Sequence, residues 1–183
     1  MKQAQASSSS LLLLCCLFII NGGFSIVKGD LITDTCTKIA ASDPSVQKDF
    51  CVQRLQYDQS TRDAKDINAL SDSTIQLIQD KAVDVQSTIT TLSSAPDPKV
   101  RQTLQECSDS YNDVVANAGG AHDSFKRHDS KTANVKLAAV LEDAHTCENA
   151  FKEGGLEVHP RLAIQTSKFA GLVKMGIAMT NMA

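Results

Sequence analysis

The chain has 183 residues, a length that suggests one or at most two domains. It carries 18 Lys and Arg against 21 Asp and Glu, which gives a formal net charge of −3 at neutral pH. A protein of that sign is a poor candidate for binding nucleic acid or anionic membranes, because both depend on clustered cationic side chains. Composition therefore predicts no nucleic-acid partner.

The first 29 residues are typical of a secretory signal peptide. Lys2 and a Ser-rich stretch precede the unbroken apolar run Leu11 to Ile20. That run of about 10 residues is shorter than the ~20 that a membrane-spanning helix needs, and it has the length of a signal-peptide core. Small residues follow, and we expect cleavage before Asp30. We therefore predict a signal peptide over 1–29 and one domain over 30–183, secreted, free of the membrane and with a charge of about −5.

Helical periodicity is strong along the predicted domain, whereas strand patterns are nearly absent. Apolar residues recur at alternating steps of four and three in segments that begin near Ala64, Pro98, the turn at Asp129, and Arg161. Four helices of about 20 to 30 residues with short loops predict an antiparallel up-down bundle. The apolar seams comprise Ile78, Ala82, Val85, Ile89 and Leu92; Val100, Leu104, Cys107, Tyr111, Val114, Ala118, Ala121 and Phe125; Leu137, Val140, Ala144, Cys147 and Phe151; and Leu162, Phe169, Leu172, Val173 and Ile177.

Two shorter helices are predicted ahead of the bundle, in DLITDTCTKIA and PSVQKDFCVQRL. The sequence ASDP separates them, and its Asp43 and Pro44 have the residue types of a helix N-cap and first turn. Asp97 and Pro98 have the same arrangement at the second bundle helix. We expect an all-α fold: a four-helix bundle with an N-terminal α-hairpin.

Four cysteines remain in the mature chain, because Cys15 and Cys16 lie in the signal-peptide core. In an oxidising compartment four cysteines most simply form two disulfides, for which three connectivities exist. The remaining cysteines are Cys36, Cys51, Cys107 and Cys147.

The positions of these cysteines relative to the predicted turns favour one connectivity. Cys36 and Cys51 lie about 7 and 8 residues either side of the turn between the short helices. Cys107 and Cys147 both lie roughly 30 Å from the turn near Asp129, at a rise of ~1.5 Å per residue. Each pair is therefore level on adjacent antiparallel helices. We predict the disulfides Cys36–Cys51 and Cys107–Cys147, each worth on the order of 3 to 4 kcal/mol.

The segment AAVLEDAHTCENAFKE is the main candidate for other chemistry. His145 and Cys147 are two residues apart on a helix and do not face each other, so they cannot chelate one ion. The sequence lacks CxxC and HExxH spacings, and its four histidines lie in different elements. We expect no metal, no cofactor and no catalytic residue, and hence a binding module or a carrier with a small apolar cavity rather than an enzyme. The potential metal ligands of this segment are Glu142, Asp143, His145, Cys147 and Glu148.

Three segments together resemble the plant invertase and pectin methylesterase inhibitor family. In chain order they are CTKIAASDPSVQKDFCVQRL, LQECSDSYNDVV and KTANVKLAAVLEDAHTCENAFKE, and the likeness extends from Asp30 to about Met182. Tyr111, four residues after Cys107, and the AAxLEDAxTC pattern are its most specific parts. The resemblance implies a hairpin and four-helix bundle with the two disulfides above. It also implies non-covalent inhibition of an apoplastic enzyme by covering its active-site cleft.

The resemblance implies a 1:1 complex with pectin methylesterase or with an acid invertase of the cell wall or vacuole. Invertase-type members often carry Pro-Lys-Phe at the start of the helix with the fourth cysteine, whereas here Ser130, Lys131 and Thr132 match only in the lysine. The run TANVKLAAVLEDAHTC looks closer to pectin methylesterase inhibitors, so we favour that target. Invertase inhibition and a non-inhibitory ligand-carrying or structural pollen protein are the alternatives, and a homodimer by hairpin exchange is a further expectation.

The family's inhibitors use the outward faces of the second and third bundle helices. Plant cell walls are mildly acidic, so His122 or His128 near the bundle end could make binding depend on pH. The resemblance implies target contacts at Asp109, Asn112, Asp113, Lys131, Thr132 and Asn134.

Overall fold

Seven helices occupy residues 30–183, the part of the chain that the computed structural model describes. The predicted signal peptide, 1–29, lies outside the described residues. Three short helices precede four long ones, as the sequence predicts for all but one of them. The helices are α1 (Leu31–Ser42), α2 (Lys48–Tyr57), α3 (Gln59–Arg62), α4 (Ile67–Leu92), α5 (Pro98–Lys126), α6 (Ser130–Glu153) and α7 (Pro160–Thr180).

The four long helices form the predicted antiparallel up-down bundle. Helix α5 packs on α4 and α6, and α7 packs on α6 and α4, so each helix packs against the next one in sequence and the last packs against the first. The predicted apolar seams form the core of this bundle. Of the seam residues only Leu92, Val100 and Ile177 are half-buried, and the others are buried.

Side-chain caps fix where three of the long helices begin. Asp66, Asp97 and Asp129 accept backbone N–H groups from the first turns of α4, α5 and α6 at 2.8, 2.8 and 2.9 Å. Each bond satisfies a donor that has no partner inside its helix. Because Asp66 is the cap, α4 begins at Ile67 rather than near Ala64.

The N-terminal hairpin forms, but its second helix begins later than the sequence predicts. Asp43 accepts hydrogen bonds from the backbone N–H and the hydroxyl of Ser45 at 2.9 and 2.6 Å, which makes a turn in the loop. These bonds lower the pKa of Asp43. Helix α2 starts at Lys48, after Gln47, which provides no side-chain cap. The prediction of Asp43 as an N-cap is therefore wrong.

The hairpin packs against the side of the bundle formed by α4 and α7. Ile32, Ile39 and Leu55 are buried in this contact. Phe50 lies against α7 where Gly171 has no side chain: a Cβ there would be 2.7 Å from the Phe50 ring. The hairpin thus covers its own bundle, and its exchange between two chains stays a prediction.

Both predicted disulfides are present. Cys36–Cys51 joins α1 to α2 with the two Cα atoms 5.7 Å apart. Cys107–Cys147 joins α5 to α6 with the two Cα atoms 4.4 Å apart. The second bond fixes the register of α5 and α6, which carry the residues that the resemblance assigns to target binding.

A tight turn connects α5 to α6. His128 adopts a left-handed conformation, with φ of 61°. Its N–H donates to the carbonyl of Phe125 at 2.8 Å, and the N–H of Asp129 donates to that of Ser124 at 3.0 Å. This pair of bonds is a Schellman motif, in which the left-handed position usually belongs to glycine. The motif ends α5 and places Asp129 to cap α6.

Candidate target-binding surface

The middle of α5 and the middle of α6 are acidic. Gln102 to Phe125 contains four carboxylates and no Lys or Arg, and Leu137 to Phe151 contains three carboxylates and also no Lys or Arg. Because Cys107 is level with Cys147, these two stretches lie side by side. Lysines and arginines occur only toward the ends of the two helices, at Lys99, Arg101, Lys126, Arg127, Lys131, Lys136 and Lys152.

Five of these carboxylates lie on the outer side of the α5–α6 pair. Glu106, Asp109 and Asp113, at positions i, i+3 and i+7, share one exposed side of α5. Asp143 accepts a hydrogen bond from the amide of Asn117 at 3.1 Å across the two helices, which locates it on the α5 side of α6. We call the surface defined by Glu106, Asp109, Asp113, Glu142 and Asp143 the acidic face.

The acidic face contains two of the six predicted target contacts, Asp109 and Asp113. A third, Asn112, lies beside them in sequence but faces another helix. Its side-chain oxygen accepts a hydrogen bond at 2.6 Å from Gln86 of α4, on the far side of α5 from α6. Asp109 and Asp113 thus belong to the acidic face and Asn112 to the contact between α4 and α5, and the role of all three in target binding stays a prediction.

Lys131 and Thr132 lie in the first turn of α6, near one end of the bundle. Thr132 donates its backbone N–H to Asp129, and the hydrogen bonds from Thr132 lower the pKa of Asp129. Lys131 is exposed. By the register of Cys107 and Cys147, Lys131 is about 10 residues along the axis from Asp113, or roughly 15 Å. These two residues therefore do not join the acidic face.

Asn134 is oriented toward α7 and holds its end. Its side-chain nitrogen lies 2.9 Å from the carbonyl of Ile177, 2.7 Å from the hydroxyl of Thr180 and 3.3 Å from the side-chain oxygen of Asn181. The last carbonyls of a helix lack backbone partners within it, and the carbonyl of Ile177 accepts both from this amide and from the Thr180 hydroxyl. The structure gives Asn134 a role at the seam between α6 and α7.

Sequence reasoning missed Glu106, Glu142 and Asp143. In the sequence, Glu142 and Asp143 stand out only as potential metal ligands, together with His145. In residues 30–183 no three His, Cys, Asp or Glu side chains come together as a metal site. The signal that could have revealed the acidic face is the long absence of Lys and Arg from two adjacent helices.

The two histidines considered for pH dependence lie apart from the acidic face. His122 is buried, and its Nε2 lies 3.2 Å from a carboxylate oxygen of Asp72 on α4. His128 is exposed in the α5–α6 turn. Within the described part of the chain no helix is long and apolar enough to cross a membrane.

Comparison with known proteins defines the family of this fold. A family model described as plant invertase/pectin methylesterase inhibitor matches residues 30–179. The chain belongs to this inhibitor family. A protein of Platanus orientalis named "Putative invertase inhibitor" is 34% identical over 131 residues, which are 71% of this chain and 76% of that protein. A "Pectinesterase inhibitor" of Actinidia deliciosa is 29% identical, over 83% of this chain and 78% of that protein.

Solved structures of this inhibitor family share the fold. A crystal structure of a mutant pectin methylesterase inhibitor from Arabidopsis superposes with a TM-score of 0.68. The match covers 79% of this chain and 96% of that one at 19% identity. The family resemblance, the all-α bundle and the two disulfide pairs are thereby confirmed.

Proposed function

We propose that this protein is a secreted inhibitor of a plant cell-wall carbohydrate enzyme, with pectin methylesterase as its preferred target. Its family is one of inhibitors, and relatives in Actinidia deliciosa, Oryza sativa subsp. japonica and Arabidopsis thaliana are named pectinesterase inhibitors. The inhibitor binds as one molecule per enzyme molecule, in the cell wall, and has no catalytic step of its own.

The acidic face is the observation that favours pectin methylesterase. Pectin is a polymer of galacturonate, and removal of its methyl esters leaves a polyanion. An enzyme that holds such a chain needs cationic groups along its cleft, since complementary charge attracts and orients a charged partner. Five carboxylates without an intervening Lys or Arg complement such a cleft. Sucrose, the substrate of invertase, is neutral and places no such requirement on its enzyme.

The acidic face is also rigid before binding. Cys107–Cys147 holds α5 and α6 in register, and the buried seams Leu104 to Phe125 and Leu137 to Phe151 lock the two helices together. A surface that is already ordered loses little conformational entropy when it docks, which favours affinity. Most of the exposed charges should act through the association rate and its dependence on salt.

The test removes two charges from the acidic face and two from elsewhere. We expect Asp109→Asn/Asp113→Asn to weaken inhibition of pectin methylesterase at about pH 5.5 by roughly 5- to 30-fold, at about 0.5 to 1 kcal/mol per charge. Its inhibition constant should also depend less on salt. The matched control, Asp34→Asn/Asp63→Asn, removes the same charge from exposed positions of the hairpin region and should leave the inhibition constant unchanged.

Equal effects of the two double variants would contradict a role for the acidic face. Full activity of pectin methylesterase at excess inhibitor would reject the preferred target. The relatives from Platanus orientalis and Platanus acerifolia named "Putative invertase inhibitor" favour acid invertase as the second candidate. Titration of an acid invertase with the same preparation decides between the two targets, and the equivalence point gives the stoichiometry.

A further inference from the structure

A groove of about 470 Å³ lies between α2, α4 and α7, where the N-terminal hairpin meets the bundle. Its floor is apolar and consists of Phe50, Val85, Phe169 and Leu172. Behind the floor, the ring of Phe169 lies 6.1 Å from that of Tyr111, centroid to centroid, so this wall is continuous with the core. The groove is on the α4–α7 side, and the acidic face is on the α5–α6 side.

The rim of the groove is cationic. Arg54, Lys81 and Lys168 line it. Lys81 is neutralised by Asp84, which it contacts at 2.5 Å, whereas Arg54 and Lys168 have no ion pair with any described residue. Helix α7, which forms one wall of the groove, contains no acidic residue that could neutralise Arg54 or Lys168. The groove thus combines an apolar floor with two cations, Arg54 and Lys168, that form no ion pair among the described residues, while its one carboxylate, Asp84, is paired with Lys81.

Two further side chains restrict which class of small molecule fits the groove. Tyr57 is 83% exposed at the rim, which is unusual for a large aromatic side chain and leaves its ring free to stack on a flat ligand. Gln165 also lines the groove, and its side-chain oxygen is buried without a hydrogen-bond partner among the described residues. Rotation about the broad terminal torsion would bring that oxygen to a hydroxyl donor in the groove.

We propose that this groove binds a small hydroxylated aromatic carboxylate. The ring lies on Phe50 and Phe169 beneath Tyr57, the carboxylate lies between Arg54 and Lys168, and the hydroxyl donates to Gln165. A groove of this volume is within the range of small-molecule sites, which have apolar walls and a few placed polar groups. This site is independent of the acidic face and of the proposed inhibition.

The groove exists only because the hairpin is docked on the bundle. Phe50 and Arg54 come from α2, and Phe50 fits against α7 only because position 171 is glycine. Cys36–Cys51 fixes α2 relative to α1. A ligand that bridges α2 and α7 should therefore also hold the hairpin on its own bundle.

The test is calorimetric titration of the oxidised protein with 4-hydroxycinnamate, which carries the ring, the carboxylate and the hydroxyl. We expect saturable 1:1 binding, weakened at least 5-fold by Arg54→Gln and by Lys168→Gln. Lys48→Gln, which removes an exposed charge from α2 away from the groove, should bind as the unmodified protein does. The analogues cinnamate and 4-hydroxycinnamamide, which lack the hydroxyl and the charge respectively, should each bind more weakly.

A second measurement locates the site and guards against effects on folding. Amide chemical shifts should change around Tyr57 and Leu172 and stay constant at Asp109 and Asp113. Absence of saturation at millimolar probe, equal loss in Lys48→Gln and Arg54→Gln, or shifts confined to the acidic face would each overturn the proposal. Inhibition of pectin methylesterase is measured separately, so failure of either proposal leaves the other to be judged on its own result.

Discussion

Removal of the Cys107–Cys147 disulfide tests how much the crosslink between α5 and α6 contributes to stability. The bond joins residues 40 apart in sequence, and the other disulfide joins residues 15 apart. The chain-entropy relation gives about 3.9 kcal/mol for the longer loop and about 3.0 kcal/mol for the shorter one at 25 °C. All four sulfur atoms are buried, so replacement by alanine avoids placing a polar group in the core.

We expect Cys107→Ala/Cys147→Ala to lower the free energy of unfolding by about 3.9 kcal/mol, or slightly more because two sulfur atoms leave the core. The matched variant Cys36→Ala/Cys51→Ala should lose about 3 kcal/mol. Urea titration of the oxidised proteins, followed by far-UV circular dichroism, measures both values. In thermal unfolding the first variant should melt roughly 8 to 16 °C lower than the unmodified protein.

The two variants should differ more in function than in stability. Asp109 and Asp143 lie close to Cys107 and Cys147 along α5 and α6, so loss of that bond loosens the register of the acidic face. The first variant should therefore inhibit pectin methylesterase more weakly, and the hairpin variant should retain inhibition. A loss below about 1.5 kcal/mol in the first variant, or a larger loss in the second, would refute the loop-closure reasoning.

Three further substitutions should change stability in a direction that the structure defines. Tyr111→Phe should raise the free energy of unfolding by about 1 kcal/mol, because the buried Tyr111 hydroxyl has no hydrogen-bond partner among the described residues. Burial, together with the charge of Glu148, also raises the pKa of Tyr111. A lower free energy of unfolding for this variant in urea titration would show that the hydroxyl is satisfied. His128→Gly should stabilise by roughly 0.5 to 1 kcal/mol, since position 128 has a positive φ; His128→Ala, which keeps the strain, is the control. The lowered pKa of Asp129 means that its ionised cap stabilises the fold above about pH 4 and is lost as the pH falls further. Below that pH, Asp129→Asn should therefore lose less stability than the unmodified protein, and parallel acid-unfolding curves would contradict this.

The core and the disulfides were predictable because they depend on short-range geometry. Helical periodicity decides which side of each helix is buried, and the predicted seams are buried almost throughout. The pairing of Cys107 with Cys147 required only that two helices of known length be antiparallel across the turn at Asp129. Asp97 caps α5 as its position before Pro98 indicates.

The local sequence does not distinguish a helix N-cap from a loop turn, because aspartate is favoured in both. Asp43 accepts a hydrogen bond from a nearby backbone N–H, as an N-cap does, but it does so in a loop turn five residues before Lys48, the first residue of α2. The single-turn helix α3, capped by Asp58, escaped prediction because four residues are too few to show an apolar period.

The sequence by itself determined the all-α bundle, its seams and its crosslinks, because helical period and cysteine spacing are properties of a chain read in one dimension. Only the tertiary structure decided which neighbour each partly exposed side chain faces. Asn112 and Asn134 both looked outward in sequence, yet one faces α4 and the other binds the end of α7. The groove beneath Tyr57 likewise required the docked hairpin, because its walls come from segments more than 100 residues apart, from Phe50 to Leu172. Periodicity gives the angle of a residue about its helix axis, and packing alone gives what lies at that angle.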